Sequence, residues 1–410
     1  MDNLTRLTRR NMLKTGGALG VLGAVSVAAP AYARPAWTWS AKDSVAGSGA
    51  GADPQYVWDE EADPVVAGVI DRGEVDKVNA ALRTWTTNGQ DLPSGLPADL
   101  KDFMEKARRL PSWANQSKLN TALDFYERRG TYLGVLYGMA SGMMSTCIPR
   151  EARAVYYSKG GADMKDRIKK TAKLGYDIGT EGAYKPAGEM IVTCVKTRLV
   201  HAAVRHLLPR SPQWTAVTDE DIPISQADIM VTWHSLATTV MKKLGAWKVP
   251  VGSADSAAYL HLWQITAHML GVRDEYIPDS WDAANAQAEQ VLDPVLKPTP
   301  EGVDLADILL HLGSEIDGGI LTPHLLGAFT RYTLGDKLAD WMQIPREPVW
   351  DPTFTQFWPA FIKAKEFSLA FPGSPQLNWT FDELLRQAVL LFLDEGRQIS
   401  IEIPTGNRSF

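Results

Sequence analysis

The chain has 410 residues, 45% hydrophobic and 22% charged, with 42 basic against 48 acidic side chains and a net charge of −6. That is the balance of an ordinary globular protein, and it lacks the basic surplus that nucleic acid would demand of a partner. Two cysteines, Cys147 and Cys194, exclude a disulfide framework, although a single bridge between them stays open.

The amino terminus stands apart. "TRRNMLK" (8–14) has the twin-arginine form, and "TGGALGVLGAVSVAA" follows it, then "AYA" at 31–33. This is a basic stretch, a short apolar stretch and a small-x-small cleavage site. The apolar run is shorter than the roughly 18–20 residues that span a bilayer. Residues 1–33 therefore read as a twin-arginine signal peptide, and the expectation is a secreted protein with no stable membrane anchor. The twin-arginine export machinery carries folded proteins, which suits a chain that takes up a cofactor before leaving the cytoplasm. The leader holds a net +3, from Arg6, Arg9, Arg10 and Lys14 against Asp2, so the remainder stands at −9.

"AKDSVAGSGAGADP" (41–54) reads as part of a flexible arm over 34–54. From residue 55 to 410 the pattern is helical, and a single all-α domain is expected. "KVNAALRTWTT", "LKDFMEKARRL", "LNTALDFYERRGTYLGVLYGMASGMM", "SAAYLHLWQITAHMLGV", "LADILLHLGSEI" and "FDELLRQAVLLFLDEG" all space apolar residues at i, i+3, i+4, i+7. Asp163 is placed to cap "MKDRIKKTAKL" and Gly175 to close it. Pro186 suits the first turn of the next helix, and Pro209 ends it. "ISIEIP" (399–404) is the best short strand, and the proline-rich stretch 344–376 reads as a loop pinned by Trp350 and Trp358.

Several chemistries have no foothold. The chain has no G-x-S-x-G elbow, no H-E-x-x-H, no phosphate loop and no dinucleotide fingerprint; "TGGALG" belongs to the leader. C-x-x-C-H is also missing, so any haem would be held without thioether links. Of the seven histidines, His261 and His268 share a helix face but have no third ligand nearby, and read as structural.

"TRLVHAAVRH" (197–206) is different. On a helix Arg198, His201 and Arg205 fall within about 60° of one another among apolar residues, while His206 points about 140° away from His201. A cationic stripe on a buried rod requires an anionic or metallic partner. Iron porphyrin supplies both, since iron takes a neutral imidazole and the propionates take cations. A buried network with the chain's own carboxylates meets the same need, and spacing alone does not separate the two. In "DRIKKTAKLG" (166–175), Arg167, Lys170 and Thr171 converge within about 100°. That is either a solvated basic helix or a polar group above a metal, where a deprotonated lysine ligates and a threonine hydroxyl holds dioxygen. Glu151, in "PREARAVYYS", is a candidate buried base.

Taken together, "SGMMSTCIPREARAVYYSKGGADMKDRIKKTAKLGYDIGT" (141–180), "KTRLVHAAVRHLL" (196–208) and the leader resemble the latex clearing proteins, secreted b-type haem rubber oxygenases of actinobacteria. The resemblance runs over essentially the whole chain, and the R-x-x-K-T and R-x-x-H-x-x-x-R blocks are its most specific parts. It implies a globin-like helical core with additional N- and C-terminal helices. It implies one non-covalent haem b per chain, with His201 as proximal iron ligand and Lys170 as a distal one. Thr171 and Arg167 would support the distal side, and Glu151 would act as a base. Arg198 and Arg205, with Thr232 and His234 of "VTWHS" and Arg331 of "FTRYTLG", match family positions at the haem. The reaction implied is cleavage of the C=C bonds of cis-1,4-polyisoprene by dioxygen, giving oligo-isoprenoids with terminal aldehyde and ketone groups. A monomer is expected. The alternatives are a haem oxygenase or peroxygenase for another unsaturated lipid, and a non-catalytic haem carrier.

Overall fold

Apolar side chains recurring every three or four residues become α-helices throughout the computed structural model, which describes residues 37–158, 164–218, 222–315, 321–369, 371 and 399–409. The described residues form fourteen helices of eight residues or more. The first seven are α1 (Ala62–Asp71), α2 (Val75–Leu82), α3 (Ala98–Ala107), α4 (Gln116–Leu136), α5 (Pro149–Tyr157), α6 (Met164–Asp177) and α7 (Met190–Leu207). The rest are α8 (Gln226–Trp233), α9 (Thr239–Ala246), α10 (Ser253–Met269), α11 (Trp281–Val291), α12 (Pro300–Glu315), α13 (Pro323–Leu334) and α14 (Trp350–Ser368). No strand occurs among the described residues, only the isolated bridges Ser44–Pro278 and Ser158–Asn407, and the all-α class holds. Ala36–Phe410 is one compact unit. Among the described residues no helix is long and apolar enough to cross a membrane.

Local rules start these helices and packing holds them. Asn115 accepts from the Lys118 amide to cap α4, and Ser225 with Asp228 forms a capping box on α8. α4 then lays Leu119, Ala122, Phe125, Tyr132 and Leu136 along α10, the most extensive helix pairing among the described residues. α7 is buried on nearly every side, from Met190 to Leu207, as expected of a helix at the centre of a large core. It packs against α1, α6 and α10, which makes it the axis on which a site can be fixed.

The structure corrects several local readings. The segment read as a flexible arm is strapped to the body from Trp37 onward. Val45 N–H donates to Ile277 O (2.9 Å), Ala50 N–H to Glu275 Oε2 (2.7 Å), and the Trp39 indole to Glu275 O (2.9 Å). Small residues serve there because the backbone lies close: a Cβ on Gly49 would meet the Glu275 carboxylate at 2.1 Å. The proline-rich stretch contains a helix, α14. Phe354, Trp358 and Ile362 make a buried stripe, with Trp358 edge-on to Phe329 at 4.7 Å and to Trp247 at 5.2 Å, and that packing outweighs Pro359 inside the helix. "ISIEIP" forms no ladder: from Ile401 on it runs over α2, where Asn79 donates to and accepts from the Ile403 backbone at 2.9 Å each way. α6 runs through Gly175 to Asp177, and Pro186 sits in the turn before α7 rather than in its first turn. Cys147 and Cys194 are both buried free thiols. Residues 1–36, Asp163 and the helix expected over 381–396 lie outside the described residues.

One glycine is committed to the core of this arrangement. Gly271 has φ +90°, and a Cβ there would stand 2.6 Å from both Arg198 Nε and Asp59 Oδ2. Gly271→Ala is therefore expected to lower the unfolding free energy by about 3 kcal/mol through strain and disruption of that ion pair. A denaturant titration with an unchanged m-value and a lower midpoint is the result that checks it.

Candidate functional site

The cationic stripe of α7 meets carboxylates of the chain's own. Asp59, Glu61 and Asp63 lie at the N-terminal end of α1, where the helix dipole also favours negative charge. Arg198 donates to Asp59 through Nε (2.5 Å) and Nη2 (2.8 Å), and to Glu61 (2.9 Å). Arg205 donates to Asp63 (2.7 Å) and to Ile224 O (3.2 Å). Burial works to raise the Asp59 pKa, but hydrogen bonding and charge from Arg198 override it and leave it lowered. Of the two partners that spacing left open for Arg198 and Arg205, the structure supplies the salt-bridge network. Arg198 is engaged through both Nε and Nη2, whereas Arg205 Nη2, 2.7 Å from Asp63, is buried without a hydrogen bond of its own. The signal that could have revealed the partners is "WDEEAD" (58–63), an acidic run just ahead of an apolar helix.

His201, between those arginines on α7, has no such partner. Its Nδ1 is buried and makes no hydrogen bond. Burial first, then the charges of Arg205 and Arg167, press its pKa down to about 3, so the ring is neutral at any working pH. Protein surrounds it closely, yet it keeps part of its surface accessible, and the same holds for Glu151 and Arg167.

Glu151 stands in the first turn of α5, which Pro149 opens. Burial lifts its pKa to about 8, against the hydrogen bond from Thr232; the Asp228 charge adds to the rise and Arg167 opposes it. The Thr232 hydroxyl, on α8, reaches Glu151 Oε1 and lies 3.2 Å from Asp228 O. A hydroxyl has one hydrogen. Given to Glu151, that hydrogen favours the ionised carboxylate. Arg167, on α6, is the cation whose field reaches both Glu151 and His201.

The structure thus brings Glu151, Thr232, Arg167 and His201 into one electrostatic neighbourhood. Arg205 joins it through its charge on His201, while Lys170, Thr171, His234 and Arg331 make other contacts or face solvent. Lys170 pairs with Asp166 one turn back (2.6 Å) and is part-exposed, and Thr171 is exposed. His234 is fully buried with both ring nitrogens taken, Nδ1 by Thr238 (2.8 Å) and Nε2 by Gln287 (2.9 Å), so neither is available to a metal. Arg331 ties the end of α13 to Asp336 (2.9 Å) and Asp340 (2.7 Å). His261 accepts from Asn115 N–H (2.8 Å) and His268 pairs with Asp274 (2.6 Å), which gives both the structural roles expected of them.

A buried carboxyl and a neutral imidazole thus share one site, and comparison with known proteins gives the class of the chain. Residues 127–363 match the family model described as ER-bound oxygenase mpaB/B'/Rubber oxygenase, catalytic domain, and the chain belongs to that family of oxygenases. More particularly, it is 60% identical over 402 residues, 98% of each chain, to the Rubber oxygenase of Streptomyces sp. (strain K30). A solved structure of latex clearing protein LCP in the closed state is similar to it at a TM-score of 0.82 and 60% identity, covering 90% of this chain and 99% of that one.

The His201 environment predicts an acid limit to stability. Its folded pKa lies below the unfolded value of 6.5, so it contributes stability that is full above pH 6.5 and is lost as pH falls toward 3. In protein without cofactor, His201→Gln is expected to remove about 3 kcal/mol of the loss seen between pH 7 and pH 3. Unfolding free energies measured along that pH series check it; equal losses in both proteins would contradict it.

Proposed function

We propose that this oxygenase is a haem b enzyme that cleaves the C=C bonds of cis-1,4-polyisoprene with dioxygen, giving oligo-isoprenoids that end in an aldehyde and a ketone. The observation that carries the reading is the neutral His201 imidazole with its buried, unpartnered Nδ1, and the buried carboxyl of Glu151 in the same electrostatic neighbourhood. The likeness to a rubber oxygenase over 98% of both chains supports the substrate class. Export by the twin-arginine machinery belongs to the proposal, because a polymer too large to import has to be met outside the cell.

His201 is the residue that would hold haem, and the lack of a C-x-x-C-H motif makes that attachment non-covalent. When bound, haem supplies the redox-active iron that dioxygen chemistry requires. The remaining chemistry belongs to this chain. Glu151, once ionised, accepts an allylic proton from the substrate at a carboxylate oxygen. Thr232 holds that carboxyl in position from α8, and the Arg167 charge favours its ionised form. A charge-free hydrocarbon offers nothing to hydrogen-bond, so its placement rests on shape and exclusion of water. The cluster of Arg198 and Arg205 with Asp59, Glu61 and Asp63 keeps α7 in register against α1, and His201 with it.

Two measurements test the proposal. Purified protein incubated with polyisoprene latex under oxygen is expected to release products with carbonyl end groups, and none under nitrogen; binding of haem with no such products would leave a carrier instead. The cleavage rate is expected to rise with pH toward about 8 as Glu151 ionises. Glu151→Gln is expected to retain haem, lose that rise and slow cleavage roughly 10²- to 10⁴-fold.

A further inference from the structure

Arg150, beside Glu151 on α5, has no part in the chemistry above, yet it makes a fork-to-fork contact at the edge of the site. Its Nε donates to Asp228 Oδ1 (2.6 Å) and its Nη2 to Asp228 Oδ2 (2.9 Å). Asp228 is not a free carboxylate. Its Oδ2 also accepts from the Ser225 amide (2.8 Å) and the Ser225 hydroxyl (3.0 Å), which completes the cap of α8. One turn further along α8, Thr232 takes hold of Glu151. Two consecutive residues of α5 are thus joined to two residues one turn apart on α8. Successive helix positions differ by 100°, so the two rungs together fix the rotation of each helix against the other.

We propose that Arg150 is the positioning residue for Glu151, acting through Asp228: it neutralises a carboxylate whose charge acts on the reactive one and locks the helix that carries Thr232. The inference rests on the reading of Glu151 as proton acceptor. The charged groups around Glu151 are few. Arg167 faces it from α6 and Asp228 from α8. On α5 itself, Arg153 is turned to Glu301 of α12 (3.6 Å), to which Tyr157 also donates (3.0 Å), and Tyr156 lies 3.5 Å from Asp304. The short helix Pro212–Val217, also packed on α5, carries no charge. Asp228 is therefore the like charge in this set that Glu151 has to tolerate, and Arg150 is its counter-ion.

The test reads Glu151 directly in the haem-loaded protein, through the infrared carbonyl stretch of its protonated carboxyl, assigned as the band that Glu151→Gln removes. Arg150→Gln leaves Asp228 uncompensated and is expected to raise the titration midpoint by about one unit. Asp228→Asn removes the like charge and is expected to lower it by a similar amount. Arg150→Lys keeps the charge but gives up the fork, and is expected to restore most of the midpoint. The pH profile of polyisoprene cleavage should shift in the same opposite directions. A purely structural salt bridge would move both variants the same way or leave the band in place, and either result overturns the proposal. Wild-type protein that shows the band and its opposite shifts but cleaves no polymer would overturn the assigned reaction and leave the positioning role standing.

Discussion

The structure depends on one buried charge cluster. Two guanidinium groups on the central helix α7 lie in the core, and an unpaired charge there costs several kcal/mol. The acidic N-terminus of α1 meets them with three carboxylates, so α1 and α7 have one register in which every charge is satisfied. His201 lies between the two arginines on the same face. Its position is therefore set by ion pairs on either side rather than by bonds of its own. The buried Nδ1 of the imidazole itself stays free of partners.

Burial acts on His201 and on Glu151 in the same sense, toward the uncharged form, but with different consequences. A neutral imidazole is ready to bind a metal at once. A neutral carboxyl is a store from which a proton has to be lost before it can serve as a base, and a pKa of about 8 keeps that loss within reach of working pH. Arg167, whose charge reaches both, holds down the cost of ionising Glu151 and discourages protonation of His201. One cation thereby sets apart the roles of two groups that lie on different helices.

Much of this was legible in the sequence because it follows from helical periodicity. The all-α class, the central position of "TRLVHAAVRH" and the placing of Arg198, His201 and Arg205 on one face need only 100° per residue. What met that face was not legible, because Asp59, Glu61 and Asp63 are some 140 positions away and no local pattern joins them to α7. His234 was placed at the haem only by the resemblance; that Thr238 and Gln287 occupy both its nitrogens is a matter of tertiary packing. α14 was hidden by its prolines, since the burial of Trp358 that outweighs Pro359 is again non-local. The strap over 37–54 reads as mobile for the same reason: small residues signal freedom in the sequence, and close backbone approach once Glu275 and Ile277 are beside them. Arg150 offered no sign at all before Asp228 was seen next to it.

The claim on which the rest stands is that His201 receives a haem iron. The visible absorption spectrum of protein purified from haem-replete cells tests it most directly. A Soret band in the wild type that is lost or strongly weakened in a folded His201→Ala protein is the predicted result. A folded, colourless wild type, or a band that His201→Ala leaves unchanged, would contradict it.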